Sequence, residues 1–190
     1  MKTESRGGFD RFRVPAALLV IAIHTGPLLS LNGEANYLLT DILARIAVPF
    51  FFSVSGWFLV PRLLREGRAA LIPFVKKLLL LYGAAALLYL PLNLYNHTLE
   101  ESGFALLRDV FFNGTFYHLW YFPALVLGAC LVYGLLRILG PRWAWLPALL
   151  LYAAGLLGDS YFGLTAALPP LRAGYEALFL LFDYTRNGLF

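Results

Sequence analysis

Two residues in this chain have the type and spacing to do chemistry within a membrane. Arg13 and His24 lie on one apolar stretch, Arg13-Val-Pro-Ala-Ala-Leu-Leu-Val-Ile-Ala-Ile-His24. An ionisable residue within a segment of hydrocarbon length costs free energy, so its presence points to function. As a helix, the stretch raises His24 roughly 16 Å above Arg13 and turns through about three full turns, so both side chains project from nearly one face. The expected arrangement is a cation at the cytoplasmic headgroup level with an imidazole near mid-membrane or slightly toward the outer side. A plainer use of the same pair is a snorkelling arginine anchor and a histidine hydrogen-bonded within a helical bundle.

The elements that must position this pair are membrane helices. Of 190 residues, 60% are hydrophobic and only 14% charged, and the mean hydropathy is +0.71. That leaves too little polar surface to coat a water-soluble globule. A spanning helix takes about 20 apolar residues. This ruler marks five spans, at 14–31, 42–60, 74–95, 119–139 and 143–157, and the start of a sixth near Tyr175. The expected fold is therefore all-α, a polytopic integral membrane helical bundle forming one transmembrane domain over 1–190 without a separate soluble domain. The sixth run carries Asp183 and Arg186 and turns apolar at Gly188-Leu189-Phe190, which suggests the N-terminal part of a longer chain. Cys130 is the one cysteine, so an intrachain disulfide is excluded, and it reads as a small buried hydrophobe.

Basic residues set the expected orientation. With the N-terminus cytoplasmic, eleven Lys and Arg face inward, among them Arg13, Arg62, Arg65, Arg68, Lys76 and Lys77, and four face outward, Arg45, Arg108, Arg172 and Arg186. The protein is expected as a multi-pass component of the cell's inner (plasma) membrane. Basic loops facing anionic headgroups account for the net charge of +4 without a nucleic-acid partner. The first segment has the basic leader of a signal peptide, but its spanning length, His24, Pro27 and the lack of a small-x-small cleavage site favour a retained helix. Asn96-His97-Thr98 and Asn113-Gly114-Thr115 fit the glycosylation pattern in an expected outer loop, a match that arises readily by chance.

The residues around the pair resemble a known family. Phe9-Asp10-Arg11-Phe12-Arg13, ten residues, then His24 is similar to the opening Arg-x10-His signature of the acyltransferase-3 membrane proteins. The run from Arg45 through Pro49-Phe-Phe-Phe to Ser55-Gly56-Trp57 resembles that family's second helix. Tyr117-His118-Leu119-Trp120-Tyr121-Phe122 resembles its His-Leu-Trp-Tyr stretch at the opening of a later helix. Arg11-Phe12 stand where the family often has Gly-Leu, a departure that touches no named role. In overall character, including Asp183-Tyr-Thr-Arg186-Asn187, the chain looks most like the membrane domains of vancomycin-resistance serine racemases and their stand-alone relatives.

This resemblance implies a fold of about ten transmembrane helices, each about 20 residues long, of which the chain fills the first half. It implies transfer of an acyl group, often acetyl, from a cytoplasmic acyl-CoA cosubstrate to a hydroxyl of a cell-envelope carbohydrate or other small polar acceptor. Some relatives are thought instead to move substrates. No bound cofactor is expected. A hydroxyl is a poor nucleophile until a base takes its proton, and a neutral imidazole suits that task near pH 7. His24 is thus the expected general base. Arg13 is placed to meet the phosphates of coenzyme A, or equally to orient the start of the helix through Asp10. Ser55, with Gly56, could touch substrate or allow close helix packing. His118 could reach the outer half of the site or make an interfacial hydrogen bond, and Arg186 could bind an anionic acceptor or anchor its helix.

Other chemistries find little support. His24, His97 and His118 lack the spacing and companion acids of a zinc site, so no metal is expected. There is no Gly-rich phosphate loop and no Gly-x-Ser-x-Gly elbow. Two rival classes remain. A transporter of a D-amino acid or serine would share the bundle, although proton-driven carriers commonly use membrane-embedded acids and the five spans contain none. A non-catalytic membrane fragment is the third. Composition leaves the oligomeric state open, because lipid-facing and partner-facing apolar surfaces look alike.

Overall fold

The computed structural model describes residues 6–96, 103–116, 118–158, 163 and 167–182, which form helices and short turns with no strand among them. Contacts divide the chain into two units, Met1–Pro61 and Arg62–Leu189.

In the first unit, α1 runs Arg6–Thr25. It stops there because Gly26 adopts a left-handed φ of +52° and Pro27 has no N–H with which to continue the ladder. The chain then turns, with Leu29 N–H donating to the Gly26 carbonyl at 3.0 Å and Asn32 N–H to Leu28 at 2.9 Å. The first helix therefore ends at Thr25 rather than at 31. Asn32 caps α2 (Gly33–Tyr37) by accepting the Ala35 N–H at 3.0 Å. A widened π turn (Leu38–Leu43) and a tight 3-10 turn (Ala44–Ile46) lead into α3 (Ala47–Glu66). Together Gly33–Glu66 makes one helical path of 34 residues, beginning well before the expected 42.

α1 packs against both irregular turns. Ala16 on α1 and Ala44 and Ala47 on the facing path are fully buried, since small side chains let helix backbones approach closely. Aromatic contacts set the antiparallel course. Phe9 meets Trp57 and Phe58 at ring separations of 6.1 and 5.9 Å, while Phe12 meets Phe50 at 4.7 Å.

The second unit contains α4 (Arg68–Tyr95), α5 (Gly103–Arg108) with a following π turn (Asp109–Asn113), α6 (Tyr121–Trp143), α7 (Trp145–Gly158) and α8 (Pro169–Phe182). Helix α8 starts at Pro169, earlier than the expected 175, because proline is favoured in a helix's first turn. α4 packs on α6. The Tyr82 hydroxyl donates to the Val110 carbonyl at 3.0 Å and accepts the Thr115 N–H at 3.1 Å, and Asn93 Nδ2 donates to the Thr115 carbonyl at 2.7 Å. Tyr175 ties α8 to α7 by donating to the Ala154 carbonyl at 2.7 Å.

Among the described residues, three helical paths are long and apolar enough to cross a bilayer: Gly33–Glu66, Arg68–Tyr95 and Tyr121–Trp143. Trp145–Leu157 is apolar but shorter. α1 is not among the three, because Asp10, Arg11 and Arg13 fall in its first half and leave less than the about 20 apolar residues of a full span. Leu87, Leu88 and Ile138 are 70%, 77% and 80% exposed. Large apolar side chains turned outward on helices of this length fit a lipid solvent, and the protein is a membrane helical bundle.

The two closed turns make a contrasting prediction. Gly114 has φ +83°, and a Cβ there would lie 2.5 Å from the backbone nitrogen of Trp120. Gly26→Ala should cost about 1–2 kcal/mol, the left-handed backbone penalty alone. Gly114→Ala adds a backbone clash and should lower the thermal midpoint of the solubilised protein clearly further. Equal shifts for the two variants would contradict the geometry.

Candidate functional site

The first unit gathers most of the expected residues. Arg13 projects from the early part of α1 and pairs with Asp10 one turn below, Nη1 to Oδ1 at 3.0 Å, with both side chains about half exposed. Exposed ion pairs of this kind contribute about 0–1 kcal/mol. The pair is therefore weak enough for the guanidinium to exchange its carboxylate for another anion, and Arg13 has donors beyond the one that Asp10 takes. His24 lies one residue before the end of α1 and is exposed. Sequence spacing placed it near mid-membrane. In the structure it stands in the terminal turn of α1, because Gly26-Pro27 ends the helix there.

A polar chain holds the turn beside His24, and sequence reasoning did not find it. Asn36 and Thr40 are both buried at 9% exposure. Asn36 Oδ1 accepts the Leu28 N–H at 3.1 Å, and its Nδ2 donates to Thr40 Oγ1 at 3.5 Å. The Thr40 hydroxyl stands 2.9 Å from the Asn36 carbonyl and 2.8 Å from Asp41 Oδ2, and its single proton serves one acceptor at a time. Asp41 in turn faces Arg45 at 3.7 Å. The chain thus runs from the turn after His24, along the π segment, to the first residue of the Arg45–Trp57 motif. Its one advance signal was the short Asn-x3-Thr-Asp spacing, which reads as ordinary surface polarity when the helix is expected to begin at 42. π turns recur at functional sites.

Ser55 lies half-buried on α3 of the same unit. A Cβ built on Gly56 meets nothing within 4 Å, so the described residues do not make the close helix approach expected there. His118 belongs to the second unit. It stands edge-on to Tyr89 at 4.6 Å and to Phe116 at 5.1 Å, while Tyr89 stacks on Phe116 at 4.7 Å. The Leu119 N–H donates to the Phe116 carbonyl at 2.8 Å, and this turn opens α6 as the motif reading expected. Tyr117 and Arg186 lie outside the described residues, as do His97 and Thr98 of the first glycosylation match. In the second match, Gly114 and the backbone of Thr115 are locked in the closed turn, which is unlike the open loop a glycan acceptor needs.

The family described as an acyltransferase domain matches residues 6–183. An amino-acid racemase of Enterococcus faecalis is 45% identical over 191 aligned residues, covering 100% of this chain and 27% of the relative. A serine/alanine racemase of Enterococcus gallinarum is 43% identical over 193, covering 96% of this chain and 27% of the relative. The chain thus spans about a quarter of the length of these curated relatives. No solved structure matches it.

Removing Asn36 tests the polar chain. Asn36→Ala leaves the Leu28 N–H without its acceptor and should cost about 1–3 kcal/mol. Hydrogen exchange at the Leu28 amide should speed up in step. Asn32→Ala, which removes only an exposed cap, should cost about 1 kcal/mol and leave Leu28 exchange unchanged.

Proposed function

Because this chain belongs to the acyltransferase-3 family, we propose that it carries the general base and donor-binding residues of a membrane acyltransferase. The reaction moves an acyl group, acetyl in the simplest case, from cytoplasmic acyl-CoA to a hydroxyl of a cell-envelope carbohydrate or related small polar acceptor. The reading rests above all on the Arg13–His24 pair, two ionisable side chains eleven residues apart on one helix within the family match. His24 takes the acceptor proton as its oxygen attacks the thioester carbonyl. The C–O bond forms, the C–S bond breaks, and the proton passes to the departing thiolate. No covalent enzyme intermediate is required. Arg13 meets the phosphates of the donor by giving up its weak pair with Asp10. Ser55, His118 and Arg186 are secondary candidates for acceptor binding. The N-terminus faces the cytoplasm and the protein lies in the inner (plasma) membrane, an orientation supported by the eleven-to-four distribution of basic residues.

A second reading is favoured by the names of the relatives. They are racemases of amino acids, and a membrane domain attached to such an enzyme could carry serine or a D-amino acid across the bilayer. The two readings separate cleanly. Membranes containing the protein are supplied with acetyl-labelled acetyl-CoA and, in parallel, sealed vesicles with labelled serine. Hydroxylamine-labile ester label supports transfer, and serine uptake without acetyl-CoA consumption supports carriage.

Within the first reading, His24→Ala should lower turnover by at least about 100-fold at unchanged membrane insertion. Arg13→Ala should chiefly raise the KM for acetyl-CoA. Near-normal turnover by the His24 variant would sink the assignment.

A further inference from the structure

The second unit contains a groove that the proposed acyl transfer does not use. It has a volume of about 500 Å³, runs between α4 and α6, and is lined by Leu71, Ile72, Val75, Leu79 and Leu80 with Cys130 and Tyr133 opposite. Arg68 and Lys76 line it as well. The sequence reading made Cys130 a buried hydrophobe, but it is exposed, and it forms part of this wall.

We propose that the groove is a binding site for an anionic phospholipid, with its phosphate at Lys76 and Arg68 and an acyl chain along the α4–α6 seam. Three observations carry this. First, the wall is apolar over its length, which suits a hydrocarbon chain and rejects a polar solute. Second, the only charged lining residues are two cations, and neither makes an ion pair among the described residues. The neighbouring acid, Glu66, is taken by Arg62 at 3.7 Å. Third, the groove continues past the cations into uncharged helix: Leu71, Ile72 and Val75 lie between Arg68 and Lys76, and Leu79 and Leu80 follow. Arg68 opens α4, Lys76 follows two turns later, and from Leu78 to Leu94 the helix carries no charge. At 1.5 Å per residue the two cations are about 12 Å apart along the axis, a headgroup's reach rather than a chain's.

A zwitterionic lipid would satisfy the apolar wall but would bring its own cation toward Arg68 and Lys76. An anionic lipid carries no such cation, so the charge pattern selects it. Under the proposed orientation this end of α4 faces the cytoplasmic leaflet, where anionic lipids concentrate and basic pockets between helices bind their headgroups. The proposal does not depend on acyl transfer, and loss of activity in a His24 variant leaves it untouched.

Alkylation of Cys130, followed by the mass of its own peptide, gives the readout. The full protein, stripped of lipid in detergent, is alkylated with a small maleimide while phosphatidylglycerol or phosphatidylcholine is titrated in. Phosphatidylglycerol should slow alkylation at concentrations about 30-fold lower than phosphatidylcholine, from about fivefold per basic residue at the surface. Arg68→Gln with Lys76→Gln should abolish that difference. Leu79→Trp, which fills the groove and keeps both charges, should make alkylation insensitive to either lipid. Both variants keep exposed positions exposed, and unchanged helical content confirms that they fold. Equal slowing by the two lipids would mean a non-selective greasy surface and overturn the proposal. So would no slowing by either, or protection by acetyl-CoA that phosphatidylglycerol fails to compete away.

Discussion

In a hydrocarbon solvent an unpaired backbone N–H or C=O costs several kcal/mol, because no water is present to accept or donate in its place. A continuous helix meets that demand by itself. Trouble arises wherever the helix ends or changes pitch, and at two such places among the described residues a side chain provides the missing partner. Asn36 accepts the Leu28 N–H in the turn after α1. Tyr82 and Asn93 engage Val110 and both backbone groups of Thr115 in the turn before α6. Among the described residues, the buried polar side chains Asn36, Thr40 and Asn93 serve these breaks.

The candidate site inherits its shape from the same demand. α1 must stop at Gly26-Pro27, and stopping puts His24 at a helix end instead of along a helix wall. An end is a poorly defined place unless the following turn is held. Here it is held by a side chain whose other atoms are engaged with Thr40, so the turn cannot shift without disturbing the π segment that packs on α1. Full burial of Ala16, Ala44 and Ala47 makes that packing close. Precision at His24 thus comes from small side chains and one amide, neither of which has chemistry of its own.

Much of this was legible in the sequence and some was not, for physical reasons. Composition and run length identified a helical membrane protein, since bilayer thickness is a long-range constraint that a count of apolar residues measures directly. The Arg13–His24 spacing and the His118–Phe122 turn were readable because a helix repeats a known geometry. The ends of the elements were not. The first span was extended to 31 because Leu28, Leu29 and Leu31 are as apolar as the helix before them, and hydropathy does not register Gly26 leaving the helical region. Similarly, the path from Gly33 was missed because Glu34, Asn36, Thr40 and Asp41 look like a loop. Asn36, Thr40 and Asp41 sit in the helical path with their polar groups turned on one another.

On the proposed reaction, α1 acts as a ruler. Its rigidity holds Arg13 and His24 roughly 16 Å apart along one axis, so a donor gripped at Arg13 must present its reacting carbon that far away. Acyl-CoA has this form, with anionic phosphates at one end, a thioester at the other and an extended, largely uncharged arm between. A donor of the same charge pattern but shorter length could reach one residue or the other, not both. Discrimination would then follow from length as much as from charge, and binding energy gained at Arg13 would be expressed as position at His24. The weak Asp10 pair suits such a role. A guanidinium held strongly by its carboxylate would spend the donor's binding energy on breaking that bond, whereas one held by about 0–1 kcal/mol is oriented in advance and still released at little cost.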